Sequence, residues 1–251
     1  MSTTATTPPM YTDSPLALIA TPQFETARED PFTVEASHMA LSHNAFIRGF
    51  NSIYQTAARL TLPADKKDFV GYCVAWVDCV STHHHYEETE FFPNINKAAG
   101  QTGLMAGAVH EHELFHGGME NFKRYLLDKA DDFKSNELIA IMDSFKEPLW
   151  NHLKAEPPAI VALAKHSTPD TPIPILEIAN AAGKKQLGLS FMFNILPVFF
   201  LNMETTQFEK GMWHEVFPSR TVMNKVVPKR QSGQWRFCSC DADGKVKPLA
   251  V

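Results

Sequence analysis

Among the residues of this chain that could bind a metal, three pairs at four-residue spacing are of particular interest. Side chains four residues apart lie one turn apart on the same face of a helix, so each pair could present two ligands to one site. Neutral imidazole and carboxylate groups are ligands that iron, zinc and manganese accept. The spacing therefore predicts a metal site built from helices, with one further ligand from a fourth stretch. The pairs are His83 with Glu87, His112 with His116, and His152 with Glu156, and the further ligand is His43.

Four amphipathic stretches between residues 34 and 166 must position these side chains. Apolar residues recur there at three- and four-residue spacing, which is typical of helices with one buried face. The histidines and glutamates lie on the same apolar stripes, where unpaired imidazoles and carboxylates are costly to bury, and a bound metal offsets that cost. We expect an all-α, antiparallel four-helix bundle. Pro148 should kink the fourth helix, and Pro157–Pro158 should disturb its end.

The segments on either side of this region differ from it in composition. Residues 1–30 are rich in Ser, Thr and Pro and lack periodicity, so we expect a flexible N-terminal tail. A Pro- and Thr-rich linker precedes residues 175–251, which we expect to form a C-terminal appendage packed on the bundle. Its Trp213–His214 and Trp235–Phe237 segments are predicted to be packing anchors that could close over one end of the bundle.

The composition argues against several function classes. A formal net charge of −5 without a basic stripe argues against nucleic-acid binding, which needs clustered Lys and Arg. Four cysteines without a CxxC pair are typical of reduced thiols in a cytoplasmic protein. The apolar run Leu187–Leu201 contains Asn194 and Pro197 and is too short to span a bilayer comfortably. With no basic, apolar signal near residue 1, we expect a cytoplasmic protein without a membrane span.

A count of coordination positions favours a reactive metal site over a closed one. Two six-coordinate irons offer about twelve positions. Five histidines, two bridging carboxylates and a bridging oxo or hydroxo group would fill about eleven of them. The remaining position could take a small molecule, and an open position is what distinguishes functional from structural metal sites.

Four segments of the chain resemble a known family. They are HNAFIRG (43–49), HHHYEETEFFP (83–93), EHELFH (111–116) and HLKAE (152–156). In this order they resemble the successive motifs of the hemerythrin, or HHE cation-binding, family, over about half of the chain. The resemblance implies a four-helix bundle with a non-haem di-iron centre that binds oxygen reversibly, stores or senses iron, or reacts with oxygen species. It assigns the ligand roles to His43, His83, Glu87, His112, His116, His152 and Glu156.

One departure from the family pattern affects the function that the resemblance implies. Oxygen-carrying hemerythrins have an Asp five residues after the last histidine. In this chain Pro157 stands at that position, and Glu156 lies four residues after His152. The pattern is therefore closer to the broader HHE group than to the oxygen carriers.

Several neighbouring residues compete for the ligand roles. His84 with Glu88 has the same spacing as His83 with Glu87. We favour the latter pair because it lies better on the apolar stripe, and because Glu87 precedes Pro93 by six residues, as in the family. Either Glu111 or Glu113 could orient a ligand imidazole through its second nitrogen. The other histidines, His38, His85, His110, His166 and His214, are expected outside the ligand set.

Three functions are compatible with this reading. The first is a di-iron protein that binds oxygen or senses and handles iron. The second is an oxidative enzyme acting on oxygen or peroxide and a small organic substrate, which the additional C-terminal segment favours because a carrier needs no substrate pocket. The third is a metal-stabilised interaction module. The expected cofactor is two iron ions, although zinc or manganese could use the same ligands, and the expected partner is dioxygen or another small oxygen species.

Overall fold

The structure is a computed structural model that describes residues 8–185, 189–208, 232–241 and 243–251. Over these residues the regular elements are helices. Two isolated β-bridges, Met10–Pro248 and Cys240–Val246, lie outside the helices. No helix in the described ranges is both long and apolar enough to cross a membrane. The α-helices are α1 (Pro22–Thr26), α2 (Pro31–Ala57), α3 (Pro63–Tyr86), α4 (Phe92–Ala99), α5 (Ala106–Lys129), α6 (Ser135–Ala162), α7 (Ile175–Lys185), α8 (Leu189–Asn194), α9 (Leu196–Phe200) and α10 (Ser232–Trp235).

The four long helices α2, α3, α5 and α6 form the predicted antiparallel bundle, so the all-α fold class is confirmed. Helix α2 packs against α3 and α6, and α5 packs against the same two helices. The helix starts follow from the sequence. Asp30 caps α2 by accepting a hydrogen bond of 3.1 Å from the Thr33 amide, and Pro31 and Pro63 occupy the first positions of α2 and α3.

A ring of four buried aromatic side chains sets the spacing of the bundle helices. Phe50, Trp76, Phe122 and Phe145 come one from each helix, and neighbouring ring centroids are 5.9 to 6.3 Å apart in edge-to-face contact. Such pairs contribute about 0.5–1.5 kcal/mol each beyond the area they bury. Phe50 lies seven residues after His43, and Trp76 and Phe145 lie seven before His83 and His152. The aromatic layer therefore supports the histidines from two helical turns away.

Helix α6 runs without interruption from Ser135 to Ala162 through Pro148, Pro157 and Pro158. This differs from the expectation that the Pro157–Pro158 pair disturbs the end of the helix. A proline removes the amide donor for the carbonyl four residues earlier. For Pro157 that carbonyl belongs to Leu153, and it is instead 2.7 Å from Nδ1 of His43 on α2. A tertiary hydrogen bond thus replaces the helical one.

Residues 8–30 lie against the bundle, which differs from the flexible tail expected there. The side-chain amide of Asn51 exchanges hydrogen bonds of 2.9 and 2.8 Å with the backbone of Leu16. Asn44 does the same with Ile19, at 2.8 Å in both directions. The two amides on α2 thus take the place of a partner strand for an extended segment. Residues 1–7 lie outside the described residues.

The described C-terminal residues pack on the bundle at several points. Helix α7 lies against α2 and the turn after α3, and α9 lies against α2 and α3. Trp235 and Phe237 are buried, and Arg236 forms an ion pair of 2.6 Å with Asp65 on α3. The other predicted anchor, Trp213–His214, lies outside the described residues.

The two ends of the described chain meet on one side of the molecule. The Tyr11 amide donates to the Lys247 carbonyl at 3.2 Å, and the Leu249 amide donates to the Pro9 carbonyl at 2.9 Å. Nearby, the buried guanidinium of Arg48 on α2 pairs with both carboxylate oxygens of Asp13, at 2.9 and 3.0 Å. The two ends are therefore fastened to each other and to the bundle.

Replacing Asn51 with alanine should destabilise the protein by about 1–3 kcal/mol, because the buried amide and carbonyl of Leu16 would lose their partners. Urea unfolding followed by circular dichroism measures the change. Asn136→Ala, at an exposed position on α6, is the matched control and should stay within about 0.5 kcal/mol of the parent. Equal stability of the two variants would show that the segment is not held by this amide.

Candidate metal centre

Two groups of potential ligand atoms meet between the bundle helices. Within each group the atoms lie within 4.8 Å of one another. Glu87 belongs to both groups, so its two carboxylate oxygens are positioned between two potential metal positions. The first group consists of His43, His83, Glu87 and Glu156, and the second consists of His84, Glu87, His112 and His152.

Two buried glutamates span the centre. Glu87 Oε1 is 2.7 Å from His83 Nε2, and Glu87 Oε2 is 3.5 Å from His112 Nε2. Glu156 Oε2 is 3.3 Å from His43 Nε2 and 3.8 Å from His152 Nε2. Each carboxylate thus faces imidazoles from two neighbouring helices, α3 and α5 for Glu87 and α2 and α6 for Glu156. Two metal ions held here could share both carboxylates.

A π-helical turn, Glu87–Phe91, joins α3 to α4 beside the centre. The Phe92 amide donates to the Glu87 carbonyl, five residues back instead of four. Glu87 and Phe91 in this turn and Phe92 directly after it are all buried. Pro93 follows at once and has no amide to return the chain to α-helical pairing with Thr89. Single π-helical turns within helices are frequent at functional sites.

Several polar atoms of the centre are buried without a hydrogen-bond partner among the described residues. They include both carboxylate oxygens of Glu87 and Glu156 and both ring nitrogens of His84. Although Glu87 Oε1 approaches His83 Nε2 closely, the two atoms are not aligned as donor and acceptor. An unpaired buried polar group costs about 1–3 kcal/mol, and more if it is charged. Because these atoms are imidazole nitrogens and carboxylate oxygens, they fit a divalent transition-metal ion.

Three imidazoles of the centre are held through the nitrogen that faces away from it. His43 Nδ1 is 2.7 Å from the Leu153 carbonyl, and His112 Nδ1 is 2.6 Å from Glu88 Oε1. His152 Nδ1 is 3.1 Å from Glu111 Oε2. A proton on each Nδ1 donates to these oxygens and leaves the Nε2 lone pair facing the centre. Metal-bound histidines commonly have such partners, which fix the tautomer and make the imidazole more basic.

The centre brings together six of the seven predicted ligands, His43, His83, Glu87, His112, His152 and Glu156. His116 is in neither group. Its half-buried ring is centred 5.8 Å from that of His112, and its buried Nε2 has no hydrogen-bond partner among the residues that the structure describes. His84 takes part instead, although the sequence analysis considered it only as a partner of Glu88. The sequence did contain a feature that indicates His84 as a ligand. His84 precedes Glu87 by three residues, and residues at this spacing share a helix face.

The remaining histidines lie away from the two groups wherever the structure describes them. His38 is 3.5 Å from Glu35, His110 pairs with the exposed Glu113 at 3.2 Å, and His85 is exposed. His166 lies in the turn after α6. His214 is outside the described residues.

Burial favours the neutral form of three imidazoles of the centre by lowering their pKa values. It lowers the pKa of His83 to about 4 and that of His152 to about 3, and it lowers the pKa of His84 well below the usual histidine value. Neutral imidazole is the form that binds a metal. Burial also raises the pKa of Glu87 well above its usual range, and the nearby Glu156 carboxylate raises it further. A cation between the two carboxylates would relieve that repulsion.

Two surface clefts end at the carboxylates that hold the imidazoles. One, of about 270 Å³, lies between α5 and α6 and reaches His152 and Glu111. The other, of about 260 Å³, reaches Glu88 beside Phe92 and Pro93. Small molecules could therefore approach the centre from either side of α5.

Comparisons with known proteins agree with this description. The family model of the hemerythrin HHE cation-binding domain matches residues 35–160. A curated relative, the dimeric xanthone biosynthesis cluster protein R11 of Cryptosporiopsis sp. (strain 8999), is 30% identical over 257 aligned residues. The alignment covers 99% of this chain and 96% of the relative. No solved structure matches the chain.

The metal-free protein should lose stability as the pH falls from about 6.5 to about 5. Over this range the unfolded chain binds protons at His83, His84 and His152, whereas their low pKa values keep them neutral in the folded protein. Glu87 acts in the opposite direction, because its raised pKa keeps a proton in the folded state. Three imidazoles outweigh one carboxyl group, so the free energy of unfolding should fall by about 1–3 kcal/mol per pH unit.

Urea titrations of chelator-treated protein at several pH values measure this slope. The control is His110→Gln, which removes an exposed histidine and should leave the slope unchanged. Stability that stays constant or rises over this pH range would contradict the burial of neutral imidazoles.

Proposed function

The chain belongs to the hemerythrin HHE cation-binding domain family, and from that premise we propose that it is a non-haem di-iron protein that binds dioxygen or another small oxygen species. The observation that carries the proposal is the pair of ligand groups that share Glu87. A single carboxylate between two sets of imidazoles is suited to two neighbouring cations. The family relationship favours iron among the metals that accept these ligands.

The proposed ligands divide into two sets with two shared carboxylates. His43 and His83 would hold one iron, and His112 and His152 would hold the other. Glu87 belongs to both groups, and Glu156 belongs to the first group and lies 3.8 Å from His152 of the second, so both carboxylates would help to hold the two ions. Either His84 or His116 completes the second set.

Bound iron would supply a coordination position for an oxygen molecule and electrons to reduce it. The protein contributes an apolar surrounding. The rings of Phe46, Phe92 and Phe115 lie 4.9 Å from His83, 6.5 Å from His112 and 5.1 Å from His84, measured between ring centroids. These rings give the centre an apolar lining, which suits a small apolar molecule such as dioxygen. Outside them, Glu88 and Glu111 hold the imidazoles of His112 and His152 in place.

A second candidate function is that of an oxidative enzyme with a small organic substrate. Two observations favour it. The relative that aligns over nearly the whole chain is named for a biosynthesis cluster, and the cleft between α5 and α6 reaches His152. In this alternative the cleft receives the substrate, and Glu111 stands between the substrate and the centre.

We also place the protein in the cytoplasm. Its four cysteines are buried free thiols, and burial raises the pKa of each. A high pKa keeps the thiols protonated and unreactive. Free cysteines of this kind suit a reducing compartment.

Metal content and visible absorption test the proposal together. Protein reconstituted anaerobically with Fe²⁺ should contain about two irons per chain. An absorption band that forms in air and disappears under vacuum would support reversible oxygen binding. A band that forms once and decays irreversibly would support the oxidative enzyme. Absence of bound iron after reconstitution would overturn both.

Replacing Glu87 with glutamine should lower the iron content to one per chain or less, because both positions lose a shared anionic ligand. The matched control is Glu113→Gln, which removes a carboxylate that is 72% exposed and should retain the wild-type iron content. Elemental analysis after desalting measures both variants. Retention of two irons by the Glu87 variant would contradict the shared role of this carboxylate.

A further inference from the structure

Among the imidazoles of the two ligand groups, His84 is the one whose two ring nitrogens both lack a hydrogen-bond partner in the described part of the chain. It is fully buried. By contrast, His43, His112 and His152 each have an oxygen within hydrogen-bond distance of Nδ1. Buried polar groups in native proteins are almost always paired, so an exception calls for a specific explanation.

The surroundings of His84 suggest what its missing partner is. One of its ring nitrogens lies within 4.8 Å of ligand atoms from Glu87, His112 and His152. Its ring centroid is 4.3 Å from that of His112 and 5.2 Å from that of His152. Ligand atoms bound at about 2.0–2.2 Å around one ion lie roughly 3–4 Å from each other. A small inward adjustment would therefore bring these atoms onto one metal ion.

The position of α3 explains why two adjacent histidines can both face the centre. Successive side chains on a helix point about 100° apart. Because α3 packs between α2 and α5, His83 faces His43 on α2, with their Nε2 atoms 3.3 Å apart, and His84 faces His112 on α5. His85 continues the rotation and points to solvent. Neighbouring residues of one helix thus serve the two different ligand groups.

We propose that His84 is a ligand of the second iron position, together with Glu87, His112 and His152, in the place that the family pattern gives to His116. This inference rests on the proposed di-iron function and names a ligand outside the family set. Within the described ranges His116 Nε2 also lacks a hydrogen-bond partner. Its ring, however, is half-buried, is centred 5.6 Å from that of His84, and lies outside the ligand group.

The adjacent histidines His84 and His85, together with His116, provide a matched test. Full-length wild-type protein and the variants His84→Gln, His85→Gln and His116→Gln are reconstituted anaerobically with Fe²⁺ and desalted in the presence of a competing chelator. Iron per chain is then measured. We expect two irons in the wild type and in the His85 and His116 variants, but about one in the His84 variant.

Each outcome of this experiment has a distinct meaning. Two irons in the His84 variant, retained as firmly as in the wild type, would overturn the inference while leaving the di-iron proposal intact. Loss of one iron in the His116 variant but not in the His84 variant would do the same and restore the family pattern. A wild-type protein that binds no iron would overturn the proposed function itself.

A second measurement does not require the His84 variant to fold. Wild-type protein labelled with ¹⁵N in its histidine rings is compared by NMR without metal and with bound Zn²⁺. A ring nitrogen that binds the metal changes its ¹⁵N chemical shift, so the His84 signal, assigned through its backbone connectivities, should move when zinc is added. The signal of His116, assigned by comparison with its variant, should move much less. A His84 signal that stays in place while zinc is bound would overturn the proposal.

Discussion

The cost of burying carboxylates and imidazoles in the middle of a helical bundle governs the rest of this structure. Glu87 and Glu156 are buried within reach of the same imidazoles, and their oxygens lack hydrogen-bond partners in the described part of the chain. Two such carboxylates repel each other unless a cation lies between them. The surrounding architecture keeps them there: an aromatic ring layer braces the helices, and a π-helical turn directs Glu87 inward. The site is therefore arranged for a positive charge.

The sequence predicted the parts of this arrangement that depend on local periodicity. Residues such as His83 and Glu87 share a face with apolar neighbours, so helical spacing alone indicated four helices and a common centre. His84 could not be chosen in this way, because residues 83 and 84 both lie near the apolar stripe. Which ligand group each of them joins depends on where α3 lies between α2 and α5. That placement is a tertiary property.

Two further differences between the expected and the observed structure have the same origin. Composition indicated a loose segment before residue 30, because it could not show that Asn44 and Asn51 bind the backbone of that segment. Helix rules indicated a disturbance at Pro157, because they could not show that His43 would bind the Leu153 carbonyl left without its helical donor. In both cases a side chain distant in sequence completes the hydrogen bonding of a backbone group. Rules that consider only neighbouring residues omit such partners.

The pairing of residues 9–11 with residues 247–249 has a consequence for how the protein is made. Ribosomes synthesise a chain from its N-terminus at about 5–20 residues per second. Residues 9–11 therefore leave the ribosome well before residues 247–249 have been made. During that interval α2 can pack with α3, α5 and α6. The segment around Tyr11, however, has no C-terminal segment with which to form its backbone hydrogen bonds. Contacts between residues so far apart in sequence close late and slowly. The bundle would therefore form during translation. The hydrogen bonds between residues 9–11 and residues 247–249 would form only after residue 249 had left the ribosome.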